Sequence, residues 1–236
     1  MPRSAKAYIA AVIGTWAASM AFVLSHWQTD SLGRFSVFLG LFVTAATLKY
    51  RVPGVVGTFS PVFVFALLGS ATLSLSEVAV AGACGGIVQC IFKPQRRPSF
   101  VQVCFNAANL SMGSSAAHLV VQPEILGLAA NPLLITLPLA ASVMYLINTG
   151  LVSVVLTLVQ RESLVEVWKH WCVGSLPFYL VGGLIVAAPL SVDRHITSTI
   201  ALLVAPAIVL ATIYFRIIFR SSGNTLAQSQ GSSQTV

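Results

Sequence analysis

Eight apolar runs account for most of this sequence, at residues 7–27, 32–50, 58–75, 77–93, 99–121, 133–160, 171–190 and 196–219, and none carries Asp, Glu, Lys or Arg near its middle. A helix rises about 1.5 Å per residue, so roughly 20 apolar residues cross a hydrocarbon core about 30 Å thick. Only 8% of the 236 residues are charged, where a soluble domain carries about 25%. The expected fold is therefore all-α: a polytopic integral membrane bundle of about eight transmembrane helices, formed by residues 1–220. Residues 221–236, SSGNTLAQSQGSSQTV, have no apolar periodicity and read as a disordered polar tail or linker.

The basic residues give the orientation. With both termini cytoplasmic, Arg3, Lys6, Lys49, Arg51, Lys93, Arg96, Arg97, Arg161, Lys169, Arg216 and Arg220 all face inward, 11 of the 13 Lys and Arg. Arg34 and Arg194 alone fall outside. This is the bias expected of cytoplasmic loops, and it implies a multi-pass membrane protein. The net charge of +7 is accounted for in the same way, without a nucleic-acid partner. The first run follows a basic start but is longer than the 7–15 residues of a secretory signal, so it is read as a retained helix. Trp27, Trp168 and Trp171 sit where aromatic belts are expected.

Polar side chains inside apolar runs are the candidate chemistry, because in hydrocarbon each needs a partner or a cavity. In the fifth run Gln102, Asn106, Asn109, Gly113 and Ala117 recur at spacings of 4, 3, 4 and 4, which places them on one helix face. The stripe has two readings: amides that join helices, or amides that contact a ligand. Gln89 lies one turn beyond Gly82 and Gly86, a small-xxx-small pair that lets another backbone approach. Asn148 and Thr149, with Ser142 and Tyr145, add polarity in the sixth run. Pro138, Pro177 and Pro206 sit inside the last three runs and are expected to kink them. His118 is expected near an interface.

Catalytic signatures are absent. The sequence has no HExxH, GxSxG or phosphate-loop motif and no intramembrane carboxylate for a proton relay. Glu162 and Glu166 read as a solvated charged turn. Cys84, Cys90, Cys104 and Cys172 lack metal-site or redox spacing and read as packing. No enzyme activity, metal or cofactor is expected.

The segment RVPGVVGTFSPVF, residues 51–63, interrupts the apolar pattern at the basic end. Pro53 disfavours continued helix before it, Gly54 and Gly57 permit tight turning, and Thr58, Ser60 and Pro61 suit the start of a helix. It reads as a turn with capping residues; alternatively Thr58 and Ser60 line the inner wall of a ligand site.

Residues 48–110 resemble the membrane-spanning N-terminal region of bacterial signalling proteins that carry GGDEF or HD-GYP output domains for cyclic di-GMP. The resemblance rests on Pro53, Gly54, Gly57, Thr58 and Ser60 (PGxxGTxS), the LSLxE step ending at Glu77, Gln89, and Arg97, Pro98, Gln102, Phe105 and Asn106 (RPxxxQxxFN). It implies an input module of the bacterial inner membrane, here either a stand-alone relative without the output domain or the input region of a longer protein. The expected function is a membrane-embedded sensory or ligand-binding module relaying a signal to the cytoplasmic side. Its expected partners are the lipid bilayer, a small apolar or weakly polar ligand, and a cytoplasmic partner or output domain. The alternatives are a small-molecule transporter or substrate-binding membrane subunit without proton coupling, and a scaffold.

Overall fold

In the computed structural model, the residues described are 1–49, 60–94, 97–122, 133–171 and 173–192. All belong to one compact unit, Met1–Thr197. The eighth run, the tail, and Gly54, Gly57 and Thr58 lie outside the described residues. Within them the chain is helical without strands: α1 (Arg3–Ser25), α2 (Leu32–Thr47), α3 (Val62–Thr72), α4 (Leu75–Ile91), α5 (Phe100–Val121), α6 (Leu133–Gln160), α7 (Leu164–Trp171) and α8 (Leu176–Val192), with a 3₁₀ turn at Val173–Ser175 before α8.

Among these, α1 and α6 are long and apolar enough to cross a membrane. The others depart from the expected spans for physical reasons. α5 has the length, at 22 residues, but its Gln, Asn, Ser and His residues lower its apolarity. α3 has only 11 residues, about 16 Å of helix. Seven of them are buried, packed among α2, α4, α5, α6 and α8. Within residues 161–170, expected as a charged turn, the chain instead enters α7 at Leu164. Its start is signed in the sequence by Ser163-x-x-Glu166: Ser163 Oγ accepts from Glu166 N (3.2 Å) and donates to Glu166 Oε2 (2.9 Å), a capping pair. Pro177 is the second residue of α8 rather than an interior kink, a place where its missing N–H removes no intrahelical bond. The interior prolines are Pro138 and Pro189.

Glycines set how closely the helices meet. A Cβ on Gly82 would lie 2.7 Å from Ser111 Cα, and one on Gly86 would collide with the Asn106 carbonyl and lie 2.8 Å from Ala107 Cα. The backbones of α4 and α5 are thus in direct contact. Elsewhere glycines are sockets for phenyl rings: Phe38 sits on Gly69, Phe42 on Gly85 and Phe63 on Gly182. Gly183 brings α8 against the backbone of α6 at Leu137 and Pro138. α1 joins through Ile9, Val12 and Trp16, packed with Phe105 and Ala108 of α5 and Leu151 and Val152 of α6.

Helix ends are closed by side chains from neighbours. Arg34 donates to the Thr72 carbonyl at the end of α3, which gives this basic residue a local reason for lying away from the others. Lys49 Nζ donates to the Phe92 carbonyl at the end of α4 (3.1 Å). Ser60 Oγ donates to the Ala45 carbonyl in the last turn of α2 (3.1 Å), so this residue of the irregular segment completes a helix end. Glu77 is buried; its Oε2 accepts from Ser74 N (2.9 Å) and its Oε1 from Thr29 Oγ1 (2.6 Å). With Ser74 Oγ on the Gln28 carbonyl (2.6 Å), it ties the α1–α2 connection to the α3–α4 break.

Adding one methyl at Gly86 has no room to be absorbed, because the obstacle is backbone. Gly86→Ala should lower stability by about 1–3 kcal/mol, read as the unfolding temperature in detergent. Gly40→Ala, with nothing within 4 Å of the added Cβ, should be neutral or raise stability by up to about 1 kcal/mol.

Candidate functional site

α5 runs through the middle of the described helices, touching α1, α3, α4 and α6, and its polar residues find different surroundings along its length. At its start, Gln102 is exposed and closes the helix end: its Oε1 accepts from Ser99 N (2.8 Å), while Ser99 Oγ accepts from Gln102 N (3.3 Å). Position three of a helix is where such a capping partner belongs, so Gln102 does not join the other amides. Asn106 is half-buried beside Gly86, and its side chain has no hydrogen-bond partner among the described residues. Gln89, on the neighbouring stretch of α4, is also half-buried without one.

Asn109 is the member of the stripe that is buried and engaged. Its Nδ2 donates to Asn148 Oδ1 (2.6 Å) and to the Asn148 carbonyl (3.2 Å) on α6. Asn148 Nδ2 in turn donates to Tyr179 Oη on α8 (2.7 Å). Three helices are therefore joined by one chain of amide and phenol groups. The chain ends in an open acceptor, since Asn109 Oδ1 is buried with no partner among the described residues. A buried polar atom left this way costs about 1–3 kcal/mol. Trp16 Nε1 is a buried donor in the same condition, and the Trp16 ring belongs to the cluster containing Ala108, next to Asn109, and Leu151 and Val152, about one turn from Asn148.

Aromatic rings wall this chain on the α3, α7 and α8 side. Tyr179 lies 4.8 Å from Phe63 and 5.4 Å from Tyr145, between ring centroids, and Tyr145 lies 6.1 Å from Trp168. Trp168, on α7, donates from Nε1 to Thr149 Oγ1 (3.2 Å), which itself donates to the Tyr145 carbonyl (2.7 Å). Asn148 and Thr149 are adjacent in sequence, so one turn of α6 holds both the buried amide and the attachment of α7.

A second polar group lies toward the other end of α5. His118, expected near an interface, is buried. Its Nδ1 lies 3.0 Å from the Ser70 carbonyl, and a carbonyl can only accept, so Nδ1 carries the hydrogen. Nε2, 3.1 Å from Gln122 Nε2, is then the acceptor. With Ser70 Oγ donating to the Ser114 carbonyl (3.2 Å), these residues fasten α3 to α5 and leave no open group.

Of the residues singled out in the sequence, Asn109 and Asn148 come together; Gln102 and Ser60 complete helix ends; Gly82 and Gly86 are in the α4–α5 contact. Sequence reasoning missed Tyr179 and Trp168. Tyr179 carried no signal, being one aromatic residue in an apolar run, whereas the Ser163-x-x-Glu166 pair could have placed Trp168 on a helix. Comparison with models of known protein families, with curated proteins and with solved structures finds no match to this chain.

Replacing Asn148 should expose how far the three helices depend on it. Asn148→Leu leaves the Asn109 amide and the Tyr179 hydroxyl without this partner and should cost about 1–3 kcal/mol. Trp168→Phe, which keeps a ring but deletes the donor to Thr149, should cost about 0.5–1.5 kcal/mol. Both are read from thermal unfolding in detergent.

Proposed function

We propose that this protein is a membrane-embedded ligand-binding module that passes a conformational change to the basic end of its bundle. The observation that carries this reading is the buried acceptor Asn109 Oδ1, unpartnered among the described residues, at the end of the Asn109–Asn148–Tyr179 chain. A group of this kind is kept where a partner from outside the protein completes it. The groups of the chain are amides and a phenol, and the nearby rings are apolar. The ligand they suit is a small neutral molecule with at least one hydrogen-bond donor.

The membrane reading extends to eight crossings with both ends cytoplasmic in the bacterial inner membrane. It is supported by the eight apolar runs, the one-sided basic residues, and the large apolar side chains that α1, α2, α6 and α8 turn outward, among them Phe22, Val37, Ile135 and Ile185. In water such a surface would be a liability. The third crossing contains the short α3, whose burial among other helices permits non-helical backbone at membrane depth. The resemblance of residues 48–110 to input regions of cyclic di-GMP signalling proteins supports sensing over transport.

A screen of small neutral molecules and lipids against the full chain in detergent should find compounds that raise its unfolding temperature. Asn109→Leu should abolish that rise while still unfolding cooperatively. No stabilising compound, or full stabilisation of Asn109→Leu, would overturn the reading. Uptake of the stabilising compound into proteoliposomes would replace the sensor with the transporter.

A further inference from the structure

The connection between α4 and α5 places large apolar side chains and cations together on an exposed surface. Ile91 is 53% exposed and Phe100, the first residue of α5, 81%. Phe92 lies between two ammonium groups: Lys93 Nζ is 5.5 Å from its ring centroid, and Lys49 Nζ donates to its carbonyl. Lys93 holds this position with a left-handed backbone, φ 43°, and Arg97 is exposed on the same connection. Opposing charge is missing from this part of the sequence. Between Asp30 and Glu124 there are six basic residues and one acidic residue, Glu77. Glu77 sits in the first turn of α4, about 22 Å of helix away from Phe92.

We propose that this connection is a docking surface for anionic lipid headgroups of the cytoplasmic leaflet. Ile91, Phe92 and Phe100 would enter the interface, where aromatic and aliphatic side chains anchor, and Lys93 and Arg97 would meet the phosphate groups. Like charges gathered beside apolar anchors match an anionic surface in both charge and depth. Arg97 offers a planar fork to a phosphate and Lys93 a point charge. The proposal shares with the proposed function only the membrane placement, and needs no small-molecule ligand.

The full chain reconstituted in nanodiscs of mixed phosphatidylcholine and phosphatidylglycerol tests it, with retained lipid read by native mass spectrometry. Wild type should keep phosphatidylglycerol in preference to phosphatidylcholine. Lys93→Gln/Arg97→Gln should lower that preference about tenfold, at roughly fivefold or less for each charge lost, while the charge-conserving Lys93→Arg/Arg97→Lys retains it. Arg161→Gln/Lys169→Gln, which removes two other inward basic residues, should leave the preference unchanged. An unaltered preference in Lys93→Gln/Arg97→Gln, an equal loss in Arg161→Gln/Lys169→Gln, or no preference in wild type would overturn the proposal alone. A chain that fails to enter nanodiscs would overturn the membrane placement as well.

Discussion

The backbone contact between α4 and α5 is the constraint on which the other arrangements depend. Gly82 and Gly86 carry no side chain where Ser111, Asn106 and Ala107 press against α4, so two helices meet at a distance that any Cβ would prevent. Between apolar helices in lipid, burying apolar surface gives little drive to associate, and close van der Waals contact takes its place. The same logic is repeated where Phe38, Phe42 and Phe63 fill the space above Gly69, Gly85 and Gly182. With α5 held centrally, its buried polar residues Asn109, Ser111 and His118 meet groups on neighbouring helices.

How they are satisfied differs along α5. At one end of α5 the His118–Ser70–Ser114 group is closed: His118 Nδ1 and Ser70 Oγ bond between α5 and α3, and His118 Nε2 meets Gln122 at the end of α5. In its middle the Asn109–Asn148–Tyr179 chain is open by one acceptor. Because Asn148 and Thr149 are consecutive, the same turn of α6 serves the buried chain and the bond to Trp168 on α7. A ligand that displaced Asn148 would shift the attachment of α7 without any longer route. Mechanical coupling of this kind needs only two packed neighbours with alternative arrangements.

Charged residues are used locally as well as globally. Arg34, Lys49 and Glu77 are each bound to backbone or hydroxyl groups at helix ends, where carbonyl and amide groups have no intrahelical partner. A charge count along the sequence carries no information on these bonds. Arg34 is the instructive case, because its place away from the other basic residues follows from the orphan carbonyl of Thr72.

The helical class, the places of most helices and the presence of amides on α5 were legible in the sequence, since apolar periodicity and the scarcity of charge are local properties. The candidate site was legible in half: Asn109 and Asn148 stood out as amides in apolar runs, whereas Tyr179 and Trp168 acquire meaning only from the residues facing them. The spacing that grouped Gln102 with Asn109 was correct as helix geometry, yet Gln102 lies in the first turn, where capping Ser99 takes precedence. The lengths of α3 and α7 were likewise hidden, because apolarity does not mark where a buried helix stops. By itself, then, the sequence determined that the chain forms helices, which residues prefer an apolar surrounding, and where polar groups interrupt it. Tertiary structure alone decided which of those polar groups meet and which is left open, because a hydrogen bond between helices depends on their separation and rotation, and these are set by glycine contacts between residues far apart in the chain.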